Sequence, residues 1–96
     1  MTHQQLHLLL EHIHFSKLSL TNARALCWLA TQEDACSLKE LALALHFTNA
    51  TITIIADALT KLNYTKRVKS KLDRRSYYLV ITPSGHELTR NLLTFA

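Results

Sequence analysis

The sequence contains little of what makes tight turns, with one glycine and one proline in 96 residues. Tight β-turns depend largely on these two residue types, so helices are favoured over an all-β sandwich. Two cysteines, Cys27 and Cys36, are too few for a disulfide scaffold and lack the spacing of a zinc site. The chain also has no apolar run of membrane-spanning length and no basic-then-apolar leader, so a soluble cytoplasmic protein is expected.

The signatures of catalysis are missing as well. The chain has no glycine-rich phosphate loop, no nucleophile elbow and no paired carboxylates, and its seven acidic residues are scattered. We therefore expect a non-enzymatic protein without a cofactor.

The length and composition predict one domain over residues 1–96. The hydrophobic fraction is 48%, which is ordinary for a globular protein and too high for a disordered one. The net charge of +4 is unevenly distributed: residues 1–47 sum to −1 and residues 48–96 to +5. Such an asymmetry indicates that one end of the molecule binds a polyanion, with nucleic acid more strongly favoured than a membrane surface.

Hydrophobic periodicity predicts a mainly helical protein with a small antiparallel β-hairpin, in the order α-α-α-α-β-β-α. The predicted helices cover about residues 2–15, 21–31, 38–46, 48–62 and 83–95, and the predicted strands cover 64–69 and 76–81. Hydroxyl side chains are placed to cap four of these helices, and Asn63 can take the left-handed position after the fourth. The predicted caps are Thr21, Ser37 (in a capping box with Glu40), Thr48 and Thr82, and Cys27 and Trp28 are predicted to lie in the core.

Seven of the eleven Lys and Arg residues lie in one stretch, Lys61 to Arg75, which contains Asp73 as its only acid. This stretch spans the predicted hairpin and directly follows the fourth helix. Two helices joined by a few residues, followed by a basic hairpin, are typical of a winged helix-turn-helix protein that binds DNA.

The motifs resemble those of the MarR family of winged helix-turn-helix transcriptional regulators, including its SarA-like branch. The resemblance extends over about residues 20–90. Its most specific element is the wing motif Asp73-Arg74-Arg75 at the family's distance from Thr82-Pro83-Ser84-Gly85. The other matching segments are Leu20-Thr21, Leu38-Lys39-Glu40-Leu41-Ala42, Thr51-Ile52-Thr53, Leu59 and Arg67. The resemblance implies a homodimeric repressor that binds a specific sequence of double-stranded DNA and represses or tunes transcription of a bacterial gene.

The fourth helix is the predicted recognition helix. Its apolar stripe turns a polar side outward, and the N-terminal end of such a helix approaches base edges in the major groove. Asn49 suits adenine, Ile54 suits a thymine methyl group, and Asp57 is expected to face away or to brace a neighbour. The predicted DNA contacts on this helix are Thr48, Asn49, Thr51, Thr53 and Ile54; the alternative is a solvated polar face.

The hairpin is predicted to carry most of the positive charge that contacts DNA. The resemblance places Arg75 in the minor groove, with Asp73 holding it and Arg74 nearer the backbone. A planar guanidinium suits a narrow, electronegative groove. The alternative is a surface salt bridge, which explains one arginine and not the surrounding cations. The predicted phosphate contacts are Arg67, Lys69 and Lys71.

The terminal helices are the predicted dimer surface, because short amphipathic helices otherwise leave apolar area exposed. The residues concerned are Leu6, Leu10, Leu92, Leu93 and Phe95. A different class of function, a winged-helix module whose basic wing binds an acidic protein, is the alternative to DNA binding.

Two sensing functions are weaker alternatives. His3 and His7 have the i, i+4 spacing that can chelate a metal on a helix, but no third ligand is fixed by spacing. Cys36 directly precedes a helix cap, where the positive end of a helix can lower a thiol pKa and favour redox chemistry.

Overall fold

The structure of the chain, a computed structural model, describes residues 1–71 and 77–95. Within these residues the predicted helices and both hairpin strands are confirmed, and one short strand is added. The elements are α1 (His3–Phe15), α2 (Leu20–Ala30), β1 (Cys36–Ser37), α3 (Leu38–Leu45), α4 (Asn49–Lys61), β2 (Thr65–Lys69), β3 (Tyr77–Ile81) and α5 (Pro83–Leu93). The fold is mainly helical and of the winged-helix type.

Each helix begins at a hydroxyl side chain that accepts a hydrogen bond from a backbone N–H of the first turn. The predicted caps Ser37, Thr48 and Thr82 are confirmed. The predicted cap of α2, Thr21, is wrong: the Asn22 N–H donates to the Ser19 hydroxyl at 3.0 Å. Ser19 has the extended backbone that a cap requires, and helical residues begin directly after it.

Three turns use the left-handed backbone region without glycine. Lys17, His46 and Asn63 have φ angles of 64°, 60° and 66°. The prediction for Asn63 is therefore confirmed, and His46 ends α3 in the same way. These turns let a chain with a single glycine reverse direction after three of its helices.

The sheet has three antiparallel strands in the order β1-β3-β2. The central strand β3 pairs with β2 from Thr65↔Ile81 to Lys69↔Tyr77 and with β1 through Cys36↔Leu79. Leu79 is fully buried, so the middle of the sheet forms one side of the core. Strand β1 was not predicted because two residues are too few to show the alternation of apolar and polar residues that is typical of a strand.

The hairpin is fastened to the start of α5 at a close contact around Gly85. A Cβ atom added at Gly85 would collide with the Tyr64 carbonyl oxygen and with the Ile81 side chain, so only glycine fits. Two hydrogen bonds lie beside this contact: the Thr82 N–H donates to the Tyr64 carbonyl at 3.0 Å, and the Thr82 hydroxyl donates to the Asn63 carbonyl at 2.7 Å. The base of the hairpin is therefore held between the end of α4 and the start of α5.

The core departs from the predicted one on α2. Cys27 is exposed, and Trp28 is half-buried and packs against the core, whereas Ala25, Leu26 and Leu29 are buried. Cys27 lies on the side of α2 that carries Leu20, away from the sheet. None of the helices in the described parts of the chain is by itself long and apolar enough to cross a membrane; α3 and α4 together, bent by 111°, match by length and composition alone.

Candidate nucleic-acid interface

Helices α3 and α4 have the geometry of a helix-turn-helix unit. Three residues, from His46 to Thr48, connect them, and their axes are bent by 111° relative to each other. Helix-turn-helix pairs cross at about 90–120° and expose the second helix to DNA. The buried stripe of α4 faces the core and leaves the opposite side of the helix free.

The exposed side of α4 carries no cation in its N-terminal two turns. Asn49, Thr53 and Ile54 are exposed there, whereas Thr51 is half-buried. The Ile54 side chain is 68% exposed, a large apolar surface in the middle of the helix. Apolar side chains in such positions find a partner in the thymine methyl group, the one apolar group that bases present in the major groove.

Hydrogen bonds within α4 occupy most of its hydroxyl groups. The Thr48 hydroxyl donates to the Thr51 hydroxyl at 3.0 Å and accepts from the Thr51 N–H at 3.1 Å. The Thr53 hydroxyl donates to the Asn49 carbonyl at 2.9 Å. The side-chain amide of Asn49 makes none of these bonds, so its donor and its acceptor point to solvent.

The hairpin places exposed cations on β2 and just beyond it. Lys66 and Lys69 are exposed on the strand, and Lys71 is exposed after its end. The predicted wing residues Asp73, Arg74 and Arg75 lie outside the described residues.

The first turns of α4 and the far end of the hairpin border one groove. Its volume is about 310 Å³, and Asn49, Thr53 and Tyr77 contribute to its walls together with Lys39 of α3. Tyr77 pairs with Lys69, at the opposite end of the two strands from Thr65 and Ile81. Helix α4 and the hairpin therefore meet on one side of the molecule.

Two side-chain contacts join the C-terminal half of α4 to β2. The Thr60 and Thr65 hydroxyls are 3.0 Å apart, and the Arg67 guanidinium donates to the Asp57 carboxylate. The expectation that Asp57 braces a neighbour is confirmed, and that neighbour is Arg67. Arg67 is predicted from the sequence to contact DNA phosphate. The pair with Asp57 is not visible in the sequence, because the two residues are ten apart on different elements and no periodicity relates them.

A second, apolar groove lies on another part of the molecule, between α1, α2 and α5. Its volume is about 340 Å³, and Leu9, Leu20, Cys27 and Leu93 are among its lining residues. Leu93 is 70% exposed, and Leu6 and Leu10 are also exposed. Among the other residues predicted for the dimer surface, Leu92 is buried within the chain, and Phe95 is half-buried with its ring tilted against that of His12 at 5.7 Å.

The residues considered for sensing do not form a site within the described residues. No cluster of three potential metal ligands occurs there, and His7 pairs with Glu11 at 2.7 Å. Cys36 is 3% exposed. Burial raises the pKa of the Cys36 thiol, and the negative charges of Glu40 and Asp34 raise this pKa further, which opposes formation of the reactive thiolate.

Comparison with known proteins gives one family and many similar folds. The sequence model of the MarR family matches residues 18–77, which is 60 of the 96 residues. The chain resembles MepR of S. aureus in its complex with DNA, with a TM-score of 0.86 and 19% identity over 96% of this chain and 73% of that one. It also resembles AbsC, a MarR family transcriptional regulator of Streptomyces coelicolor, with a TM-score of 0.79 and 22% identity over 95% of this chain and 62% of that one.

A third similar structure is BpsR of Bordetella bronchiseptica, with a TM-score of 0.77 and 26% identity over 96% of this chain and 65% of that one. DNA binding by BpsR is regulated by 6-hydroxynicotinic acid. The curated proteins contain no match to this chain.

Proposed function

This chain belongs to the MarR family, and from that premise we propose that it is a homodimeric transcriptional regulator that binds a specific sequence of double-stranded DNA in the bacterial cytoplasm. The observation that carries the proposal is the shared groove between the N-terminal turns of α4 and the outer end of the hairpin. This arrangement lets the helix enter a major groove while the hairpin reaches the adjacent minor groove. A repressor is the form of regulation we favour.

The major-groove contacts follow from the exposed face of α4. Asn49 offers a free amide, which can pair with both hydrogen-bonding groups of an adenine edge. Ile54 offers apolar surface to a thymine methyl, and Thr53 adds a methyl group beside it. None of these side chains suits the two acceptors of guanine, which arginine and lysine bind best. The preferred half-site is therefore rich in A·T pairs at the positions that α4 contacts.

The hairpin supplies the electrostatic part of the binding. Lys69 and Lys71 are exposed and can neutralise phosphates, and the family motif assigns Arg75 to the minor groove, with Asp73 beside it. Phosphate contacts release counterions, so affinity falls as the salt concentration rises. Arg74 is assigned to the backbone near Arg75.

The dimer is proposed to form through the apolar groove and its surroundings on α1 and α5. Leu6, Leu10 and Leu93 leave apolar surface exposed on these helices. A second copy that covers this surface removes it from water and places two recognition helices on successive turns of DNA. We expect Leu93→Glu to give a monomer in sedimentation at tens of micromolar, whereas Leu43→Glu, an equally exposed position on α3, leaves the dimer intact.

Fluorescence anisotropy with a labelled mixed-sequence duplex tests DNA binding. With about six to eight phosphate contacts per dimer, the logarithm of the binding constant should fall against the logarithm of salt with a slope of about −5 to −7. Arg75→Ala should weaken binding about tenfold or more, because a base or groove contact of arginine is lost. If the folded protein binds no duplex at low salt, the alternative of a protein-binding module replaces the proposal.

A further inference from the structure

Two contacts lie side by side along the junction of α4 and β2. Every second residue of a strand faces the same side, so Thr65, Arg67 and Lys69 all lie toward α4. Thr65 meets Thr60, and Arg67 meets Asp57 almost one helical turn earlier. Two contacts at different points along the junction fix the angle between α4 and β2, whereas a single contact would let one element rotate relative to the other.

The Arg67 side chain is poorly placed to bind phosphate. It is 34% exposed, against 60% for its partner Asp57. Its Nε is buried and has no hydrogen-bond partner, so this part of the guanidinium is out of reach of a ligand in solvent. Moving the guanidinium outward to a phosphate would also strip the Asp57 carboxylate of its partner on the face of α4 that meets DNA.

We propose that Arg67 is a positioning residue: by binding Asp57 it sets the angle between the recognition helix and the hairpin, and it makes no contact with phosphate. This inference rests on the proposed function, because the angle matters only if both elements dock on one duplex. It also identifies Lys69 as a phosphate contact. Lys69 continues the same side of β2 toward the turn of α4 that holds Thr53 and Ile54, where α4 has no acidic residue to hold it.

The two roles predict different effects of substitution on DNA binding. Loss of a phosphate contact lowers affinity for all sequences and makes the salt slope shallower by about 0.9 per contact. Loss of a positioning contact misaligns the two elements and lowers affinity for the specific site, while the number of phosphate contacts and the salt slope stay the same.

The experiment compares Arg67→Met and Asp57→Asn with Lys69→Met as the matched control. Met keeps the apolar stem of the long side chains, and Asn keeps the shape of Asp57. Two probes are used: a duplex that the wild-type protein selects from a random-sequence pool, and a mixed-sequence duplex. Arg67→Met and Asp57→Asn should each weaken binding to the selected duplex about 5–20-fold with an unchanged salt slope and little change on the mixed duplex.

The variant that carries both Arg67→Met and Asp57→Asn should bind as tightly as whichever single variant binds less tightly, because both substitutions remove the same contact. Lys69→Met should weaken binding to both probes and make the slope shallower by about 1.8 for a dimer. The inference is overturned if Arg67→Met makes the slope shallower as Lys69→Met does. It is equally overturned if Asp57→Asn strengthens binding, since removing an acid beside a phosphate contact should help.

Thermal unfolding separates a failure of this inference from a failure of the proposed function. Each single substitution should lower Tm by about 2–5 °C, and the double variant should lower it no further, because the two partners are coupled. Tm shifts that add up in the double variant would show that the Asp57–Arg67 pair does not hold α4 against β2, regardless of the DNA-binding results. If the Tm shifts are coupled but the wild-type protein binds neither duplex, the proposed function is rejected, together with the role of Arg67 in it.

Discussion

Ile54 provides the sharpest test of the proposal that α4 reads the DNA sequence. Its side chain is 68% exposed, and the first two turns of α4 carry no acidic or basic residue. We expect it to cover a thymine methyl group in each half-site. Replacing that thymine by deoxyuridine removes only the methyl group and leaves every hydrogen bond of the base pair in place.

The magnitude follows from the area removed from water. Burying one methyl-sized group is worth about 0.8 kcal/mol, so two half-sites contribute about 1.6 kcal/mol. Since about 1.4 kcal/mol is a factor of ten, the deoxyuridine duplex should bind roughly 15-fold more weakly. Ile54→Ala should weaken binding to the thymine duplex by a similar or larger factor, because several carbon atoms lose the contact.

The assay is anisotropy with both duplexes and both proteins, which forms a double-mutant cycle between a side chain and a base. With Ile54→Ala, the thymine and deoxyuridine duplexes should bind equally. Leu43→Ala is the control, because Leu43 is 69% exposed on α3 and lies outside the proposed interface. Equal binding of wild-type protein to both duplexes, at every thymine replaced in turn, would refute the proposed role of Ile54.

Three further predictions concern the fold that supports the interface. Gly85→Ala should lower the free energy of unfolding by about 1–3 kcal/mol in a denaturant titration, because its Cβ collides with backbone; an unchanged midpoint would contradict the packing at the hairpin base. Ser19→Ala should cost about 1 kcal/mol and Thr21→Ala less than about 0.5 kcal/mol, and the reverse order would reject Ser19 as the cap. In thiol labelling at pH 7.5, Cys36 in a Cys27→Ser variant should react far more slowly than a free cysteine, since its raised pKa and burial both suppress the thiolate, and fast labelling would reopen a redox role.

Much of the fold was predictable because it is encoded locally. The caps at Ser37, Thr48 and Thr82 and the left-handed Asn63 are each specified by one side chain and its neighbours. The apolar spacing of α4 fixed which of its residues face outward. The charge of the hairpin is compatible with binding either DNA or an acidic protein, and the resemblance of its motif to the MarR family favours DNA.

The features that escaped prediction depend on contacts between residues distant in sequence, or on which side of a helix faces the core. Cys36 and Ser37 form strand β1 because they pair with the middle of β3. Their own sequence gives no indication of this pairing. Cys27 sits in an apolar segment, yet the side of α2 that it occupies opens onto the groove rather than the core. The Asp57–Arg67 pair depends on how a helix and a strand pack, so Arg67 looked like any other cation of the basic stretch.

Backbone NMR of the labelled protein, titrated with duplex DNA, tests the central claim most directly. We expect the amide shifts to concentrate in the N-terminal turns of α4, in Tyr77 beside them on the 310 Å³ groove, and in the basic residues 66–71 of the hairpin. The acidic loop around Glu33 and Asp34 should stay unchanged. Shifts confined to that loop or to α1, or no shifts at low salt, would contradict the account.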